Sequence, residues 1–184
     1  MTHRSDKALQ RRILAGSQEA CADLIGRYHA PIYRLLVHLC RDAHLAEDLA
    51  QDTFLAAWKS IGSFKAASSL GTWLHGIAYR KFIDAHRRGE RTVAIAAAHP
   101  VEQVQSIALN PYETALASDE SRRLYRALGR LTPRDRDVIV LHYLQGLSYQ
   151  ELAEVLDQPT GTVKWRTREA LENLRRALED KVTP

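Results

Sequence analysis

Hydrophobic residues recur at intervals of three and four positions along nearly the whole chain, which is the spacing of an amphipathic helix. No stretch alternates apolar and polar residues with the β-branched or aromatic enrichment that is typical of a strand. The pattern therefore predicts an all-α protein.

Breaks in the pattern predict the ends of the first helices. Three helices are expected near 5–16, at about 17–29 and over 31–39. Pro31 is expected to separate the second from the third, because proline lacks the backbone N–H that a helix interior uses.

Two further helices complete the N-terminal half. Asp42 is a plausible N-cap for the helix over 43–59. Thr72 is a plausible cap for a helix that runs to about Arg88, where Gly89 is expected to stop it.

Residues 89–117 have few large apolar side chains in any regular period and include Pro100 and Pro111. Such a segment is typical of a flexible linker. The chain is therefore predicted to form two small helical domains, 1–88 and 118–184, with the linker between them.

The C-terminal domain has a helix-turn-helix pattern. After a helix break at 132–133, a short helix is expected to end at Gly146. Ser148 and Glu151 then match a capping box, and Thr160 is expected to cap the last helix. A short helix, a tight turn and a basic helix favour DNA binding.

The last helix has two faces. The face predicted to pack on the preceding helices consists of Val163, Thr167, Ala170, Leu171, Leu174 and Leu178. Thr162, Trp165 and Arg166 lie opposite with Glu169 and are candidate readers of base edges, while Lys164 and Arg168 could reach phosphates. The alternative is an ordinary three-helix core with a solvated outer face.

Charge is unevenly distributed. Lys and Arg number 26 against 22 Asp and Glu, for a net charge of +4, and the basic residues cluster in 79–91 and 160–176. Clustered cations suggest nucleic acid, whereas a solvated face is the default explanation of any single charge run and is weakened only by the accompanying motifs. In contrast, the helix over 43–59 places Asp48 and Asp52 on one side, which indicates a partner other than nucleic acid.

Several classes of protein are disfavoured by the sequence. Cys21 and Cys40 match neither a redox pair nor a zinc site, and no other metal or cofactor site is predicted. The first residues lack the apolar segment of a signal peptide, and no apolar run is long enough for a membrane span. A cytoplasmic location is expected.

The order of motifs resembles that of the extracytoplasmic-function sigma factors, short members of the sigma-70 family of bacterial RNA polymerase sigma factors. The resemblance covers about 20–88 and 119–179. It is carried by RYHAPIYRL at 27–35, AEDLAQDTFLAAW at 46–58, TWLHGIA at 72–78, LSYQELAEVL at 147–156 and GTVKWR at 161–166.

This resemblance implies a transcription initiation factor that is not an enzyme. Its expected partners are core RNA polymerase, promoter DNA as duplex and melted strand, and an anti-sigma factor. The residues implied in polymerase docking are Asp48, Gln51, Asp52 and Leu55. Phe54 and Trp58 are expected to pack inside the domain, and the linker to thread through the polymerase.

The resemblance also implies two DNA surfaces. The one that recognises and melts the minus-ten element would consist of Phe64, Lys65, Ser68, Ser69, Trp73, Arg80, Lys81, Arg87 and Arg88. Trp73 could equally belong to the core, because Ile77 lies one turn on. The surface that reads the minus-thirty-five element would consist of Thr160, Thr162, Lys164, Trp165, Arg166 and Arg168.

Three residues depart from what most members of this family carry. Asn usually stands at the position of Arg80, a small residue at that of Trp165, and a basic residue at that of Glu169. We therefore expect an unusual promoter preference.

Two other functions fit parts of the sequence. A stand-alone helix-turn-helix regulator would use 1–88 as a sensor or dimerisation domain, which leaves the acidic face unexplained. A DNA-cleaving or recombining enzyme would hold magnesium on Asp48 and Asp52, but no nucleophile or further acid can be assigned.

Overall fold

The computed structural model describes residues 3–97 and 119–179, and within these ranges it contains helices and turns without strands. The all-α prediction is confirmed. The elements are α1 His3–Leu14, α2 Gln18–Cys40, α3 Ala43–Ser60, a 3-10 turn Ile61–Ser63, α4 Leu70–Ala97, α5 Asp119–Arg130, α6 Pro133–Ile139, a π-helical turn Val140–Leu144, α7 Tyr149–Leu156 and α8 Thr160–Glu179.

The predicted break at Pro31 is wrong, because α2 runs through it without interruption. Proline in a helix interior costs roughly 3 kcal/mol. Ile32, Leu35 and Leu36 follow it and are completely buried, and Leu24 precedes it in the core. Burial of apolar side chains on both sides of the proline offsets the lost hydrogen bond.

The caps of the next two helices were partly predicted. The Asp42 carboxylate accepts hydrogen bonds from the backbone N–H of His44 and Leu45, as expected for an N-cap. For α4, the cap is Ser69 rather than Thr72, because the Ser69 hydroxyl accepts the N–H of Thr72 at 3.0 Å. Thr72 therefore lies inside the first turn of α4.

The predicted end of α4 at Gly89 is also wrong, since the helix continues to Ala97. A glycine costs an exposed helix only about 1 kcal/mol relative to alanine, so it does not by itself end one. The rest of the predicted linker, 98–117, lies outside the described residues.

The helix-turn-helix has the predicted turn chemistry with one exception. Gly146 has a positive φ of 73°, which suits glycine at the end of a helix. The reciprocal capping box of Ser148 and Glu151 is confirmed. However, Thr160 is the first residue of α8 rather than its cap, and the carbonyl of Pro159 accepts the N–H of Val163.

One hydrophobic core runs through both halves of the chain. Leu35 on α2 and Leu74 on α4 belong to the same buried cluster as Val140 in the π-helical turn and Leu152 on α7. Helix α4 packs on α7, and α2 packs on the π-helical turn. The two units predicted from the sequence are thus docked against each other.

Over 3–97 and 119–179, no helix is both long enough and apolar enough to traverse a lipid bilayer.

Candidate functional site

The outer face of α3 carries the acidic residues that the sequence singled out. Asp48, Gln51 and Asp52 are exposed, and Leu55 on the same face is 61% exposed. The opposite face is fixed in the core by Ala46, Leu49, Ala50, Thr53 and Ala57. The arrangement exposes two carboxylates, an amide and an apolar side chain on one face.

Asp52 also approaches the following helix. Its carboxylate lies 3.7 Å from the ammonium group of Lys81 on α4, and both side chains are partly exposed. An exposed ion pair contributes less than about 1 kcal/mol to stability. The pair therefore contributes little to stability, but it places an acidic residue of α3 beside a basic residue of α4.

The two aromatic residues of α3, Phe54 and Trp58, differ in how far they are buried. Phe54 packs against the core, as expected, and its ring lies 5.9 Å from that of His29. Trp58 was expected to pack inside the domain as well, but 51% of it is exposed. Position explains the difference, because Trp58 lies one turn beyond Leu55 on the outward face of the helix.

The loop before α4 is held in place by buried contacts. Phe64 is only 5% exposed, and its ring lies 5.5 Å from that of Trp73. The side-chain amide of Gln10 donates to the carbonyl oxygens of Ile61 and Phe64 at 2.8 and 2.9 Å. Phe64 therefore supports Trp73 from within the core, contrary to its expected place on an outer surface.

Polar and basic residues around this core remain accessible. Lys65 is exposed, and Ser68, Ser69 and Trp73 are partly exposed. Farther along α4, the side chains of Arg80, Arg87 and Arg88 are exposed and that of Lys81 is half-buried. The predicted loop and the basic part of α4 thus carry accessible polar and cationic side chains, and the partly covered indole of Trp73 lies near the start of α4.

A different face of α4 contacts the C-terminal unit. The Thr72 hydroxyl donates to Glu151 Oε1 at 2.7 Å, and the Tyr79 hydroxyl donates to Asp137 Oδ2 at 2.7 Å. Thr72 and Asp137 are both almost fully buried. These two hydrogen bonds join the helix of the predicted melting surface to the C-terminal unit: Glu151 lies in the helix-turn-helix and Asp137 on the helix before it.

The environments of the two acceptor carboxylates shift their pKa values in opposite directions. Burial raises the pKa of Asp137 to about 6, although the Tyr79 hydroxyl and the Arg136 guanidinium act against this. Burial also opposes ionisation of Glu151, but hydrogen bonds from Thr72 and Ser148 outweigh it and lower the pKa of that carboxyl.

The outer face of α8 matches most of the prediction. Thr162, Lys164 and Arg168 are exposed, Trp165 is 60% exposed, and Thr160 is half-buried. The packing face is formed by Val163, Thr167, Ala170 and Leu174, with Leu178 partly buried. Leu171 was expected on that face but is 43% exposed, since it lies at the edge of the buried stripe.

Two basic residues of α8 are held by neighbouring side chains. Arg166 is half-buried, and its Nη1 donates to Gln158 Oε1 at 2.7 Å. The ammonium group of Lys164 lies 5.8 Å from the centre of the Tyr149 ring. The ring of His142 also stacks on Tyr149, with the two ring centroids 4.3 Å apart.

Sequence patterns did not point to Gln158, Tyr149 or Asp137. Gln158 lies in the turn before α8, and only the folded turn brings it to Arg166. Asp137 follows Arg136 in a strongly charged run, so nothing local distinguished a buried carboxylate from a solvated one. Within 3–97 and 119–179, no cluster of His, Cys, Asp or Glu is arranged to hold a metal ion.

Comparison with known families matches both halves of the chain. The profile described as Sigma-70 region 2 covers residues 24–92, and that described as Sigma-70, region 4 covers residues 127–176. The first includes the acidic face of α3 and the basic part of α4. The second includes the helix-turn-helix.

Similar proteins match over nearly the full chain. The ECF RNA polymerase sigma factor SigW of Bacillus subtilis is 31% identical, over 92% of this chain and 95% of its own. The ECF RNA polymerase sigma factor SigK of Mycobacterium tuberculosis is 32% identical, over 94% of this chain and 92% of its own.

Solved structures agree. The sigma factor RpoE of Bartonella quintana, in complex with the anti-sigma factor NepR, has a TM-score of 0.69 and 25% identity, over 87% of this chain and 97% of its own. CnrH, in complex with the cytosolic domain of CnrY, has a TM-score of 0.71 and 25% identity, over 96% of this chain and 98% of its own.

Proposed function

We infer the role of this protein from its family, because the chain belongs to the extracytoplasmic-function sigma factors of the sigma-70 family. It is a transcription initiation factor and not an enzyme. It binds core RNA polymerase and directs it to promoters. These tasks are divided among separate surfaces of the molecule.

We propose that the exposed face of α3 docks on core polymerase. Asp48, Gln51 and Asp52 supply charge and polarity around the apolar side chain of Leu55. The exposed Trp58 adds apolar area beside it. A complementary partner surface is basic with an apolar centre, and a negatively charged nucleic acid would be repelled from this face.

The minus-ten element is assigned to the loop before α4 and to the basic part of that helix. Opening a duplex needs an aromatic or apolar group at the fork and cations for the displaced phosphates. Trp73 supplies the aromatic group, backed by the buried Phe64. The cations and polar groups are those of Lys65, Ser68, Ser69, Arg80, Lys81, Arg87 and Arg88.

The minus-thirty-five element is assigned to the outer face of the helix-turn-helix. The early residues of α8 enter the major groove in this motif. The DNA surface consists of Thr160, Thr162, Lys164, Trp165, Arg166 and Arg168. We divide the chain accordingly into a domain over 1–88, a linker over 89–117, the first part of which continues α4 to Ala97, and a domain over 118–184.

Reading both elements at once requires the two domains to separate. The elements are roughly 25 base pairs apart, which is about 85 Å of B-form DNA. In the docked arrangement, Thr72 of the first domain is hydrogen-bonded to Glu151 of the helix-turn-helix. The docked form is therefore one that cannot span a promoter, and polymerase binding is expected to select the separated form.

Control by an anti-sigma factor is part of the proposal. RpoE of Bartonella quintana is similar to this chain over most of its length and was solved with an anti-sigma factor bound. A partner that stabilises the docked arrangement would keep both DNA surfaces from acting together. The site of action is assigned to the cytoplasm, where polymerase and promoters are found.

The observation that carries the proposal is the exposed acidic and apolar face of α3 next to a basic helix. The test is to mix the protein with core polymerase and sequence the transcripts made on genomic DNA. Defined start sites that depend on the protein are expected. Asp48→Lys should weaken core binding at least tenfold, while Glu120→Lys, an exposed acid on α5, should not. A protein that forms no complex with core polymerase would contradict the proposal.

A further inference from the structure

Trp165 lies where a helix-turn-helix meets base edges. It belongs to the N-terminal half of α8, the part of a recognition helix that enters the major groove. Its neighbours Val163 and Thr167 are completely buried, whereas Trp165 is 60% exposed. The side chain therefore projects away from the core on the face assigned to DNA.

The basic residues on either side of Trp165 each contact another side chain of the protein. Arg166 is half-buried and bonded to Gln158, and Lys164 lies over the ring of Tyr149. Trp165 has no stacking ring partner and no hydrogen bond to its indole N–H among the described side chains. The exposed face of α8 thus carries a broad apolar surface at Trp165.

The major groove offers few partners to such a surface. Guanine, adenine and cytosine show hydrogen-bond donors and acceptors there, and thymine alone adds an apolar group, its 5-methyl. An indole brings an apolar face and a single N–H donor. The thymine methyl is therefore the group in the groove that best matches an exposed indole.

We propose that Trp165 recognises the 5-methyl group of a thymine in the upstream promoter element. This inference rests on the proposed function, because it requires the outer face of α8 to contact that element. Burying one methyl group corresponds to about a fourfold gain in affinity. Promoters with thymine at the contacted position, on either strand, are therefore bound about fourfold more tightly than promoters without it.

Thymine-to-uracil replacement isolates the methyl group, since uracil keeps the pairing and the O4 acceptor. Upstream elements would first be selected from a randomised duplex with the reconstituted holoenzyme. Each thymine of the selected duplex would then be replaced singly and the affinity of the holoenzyme measured. We expect a loss of about three- to fivefold at one or two positions for the wild-type protein.

The variants show whether Trp165 causes that loss. Trp165→Ser should bind thymine and uracil duplexes equally, and Trp165→Phe should retain part of the preference. Leu171→Ser, a second exposed apolar residue of α8 farther from its N-terminus, is the matched control and should discriminate like the wild type. Equal thermal unfolding of all variants checks that the fold is intact.

Failure of the Trp165 proposal can be distinguished from failure of the proposed function. A selected element without thymine, a wild-type protein indifferent to every uracil, or an equal uracil effect in Trp165→Ser would each overturn the role of Trp165. In those cases the upstream duplex is still bound and protected, so the proposed function stands. A holoenzyme that protects no upstream DNA would overturn both.

Discussion

The hydroxyl of Tyr79 donates a hydrogen bond of 2.7 Å to the carboxylate of Asp137, across the boundary between the two domains. Tyr79 lies on the helix assigned to promoter melting, and Asp137 lies on the helix before the helix-turn-helix. Asp137 is 5% exposed, and its Oδ1 has no hydrogen-bond partner among the described residues. The Tyr79 hydroxyl is thus the principal group that satisfies a buried carboxylate at the domain contact.

Tyr79→Phe should loosen this contact. The variant removes one hydrogen bond to a charged group and leaves a buried carboxylate less satisfied, which costs roughly 1–3 kcal/mol. We expect a lower free energy of unfolding by chemical denaturation, and a larger distance between fluorophores placed on the two domains. Tyr143→Phe, at a tyrosine that is 49% exposed, should change neither quantity. Unchanged fluorescence transfer in Tyr79→Phe would show that the bond does not hold the domains together.

Asp137 should make stability depend on pH in an unusual direction. The pKa of Asp137 is about 6 in the folded protein, above its ordinary value of 3.8, because burial disfavours the charge. The folded state therefore binds the proton more tightly. The resulting stabilisation is fully present below about pH 4 and is lost as the pH rises towards 6.

Asp137→Asn removes this titration. We expect the free energy of unfolding of the variant to rise, relative to that of the wild type, as the pH increases from about 4.5 to about 7. The expected rise is roughly 1–3 kcal/mol, because a pKa difference of one unit corresponds to about 1.4 kcal/mol. Denaturation of both proteins at several pH values measures the difference. A difference independent of pH would mean that Asp137 is solvated in the folded protein.

The second cross-domain bond should give the opposite pH dependence. The pKa of Glu151 is lowered in the folded protein, since hydrogen bonds from Thr72 and Ser148 outweigh the effect of burial. A lowered carboxyl pKa contributes stability that is present above the ordinary value and is lost on acidification. Thr72→Val keeps the shape of the side chain but removes the donor.

We expect Thr72→Val to lose about 1 kcal/mol at neutral pH, and the loss to shrink as the pH falls below about 4.5. Urea denaturation of wild type and variant at pH 7 and pH 4 measures both quantities. Thr72→Ser, which retains a hydroxyl, should restore most of the difference. If Thr72→Val and Thr72→Ser have the same free energy of unfolding, the hydrogen bond to Glu151 does not contribute to stability.

Local patterns in the sequence predicted the features that depend on neighbouring residues. Asp42 lies directly before the N–H groups that it caps, and Ser148 and Glu151 form a capping box within one helical turn. Residue spacing alone therefore identified both features. Propensity failed at Pro31, where burial of distant side chains against α2 outweighed the cost of a proline.

Contacts between domains could not be predicted in this way. Tyr79 and Asp137 are far apart in the chain, and neither belongs to a motif that specifies a partner. The same holds for Gln158 and Arg166, which meet only when the turn before α8 has formed. The resemblance predicted the surfaces, whereas the fold determined which of their side chains face outward.

Lys164 provides a test of that distinction. Its ammonium group lies 5.8 Å from the centre of the Tyr149 ring, and we propose that it contacts a phosphate and not a base edge. Lys164→Gln should therefore weaken holoenzyme binding to all upstream sequences by a similar factor and lower the salt slope of binding by about 1. Arg175→Gln, at an exposed residue near the far end of the same helix, should leave both unchanged. Affinities measured over a range of salt concentrations on matched and mismatched promoters separate the two kinds of contact: a loss confined to one sequence would mean that Lys164 reads a base.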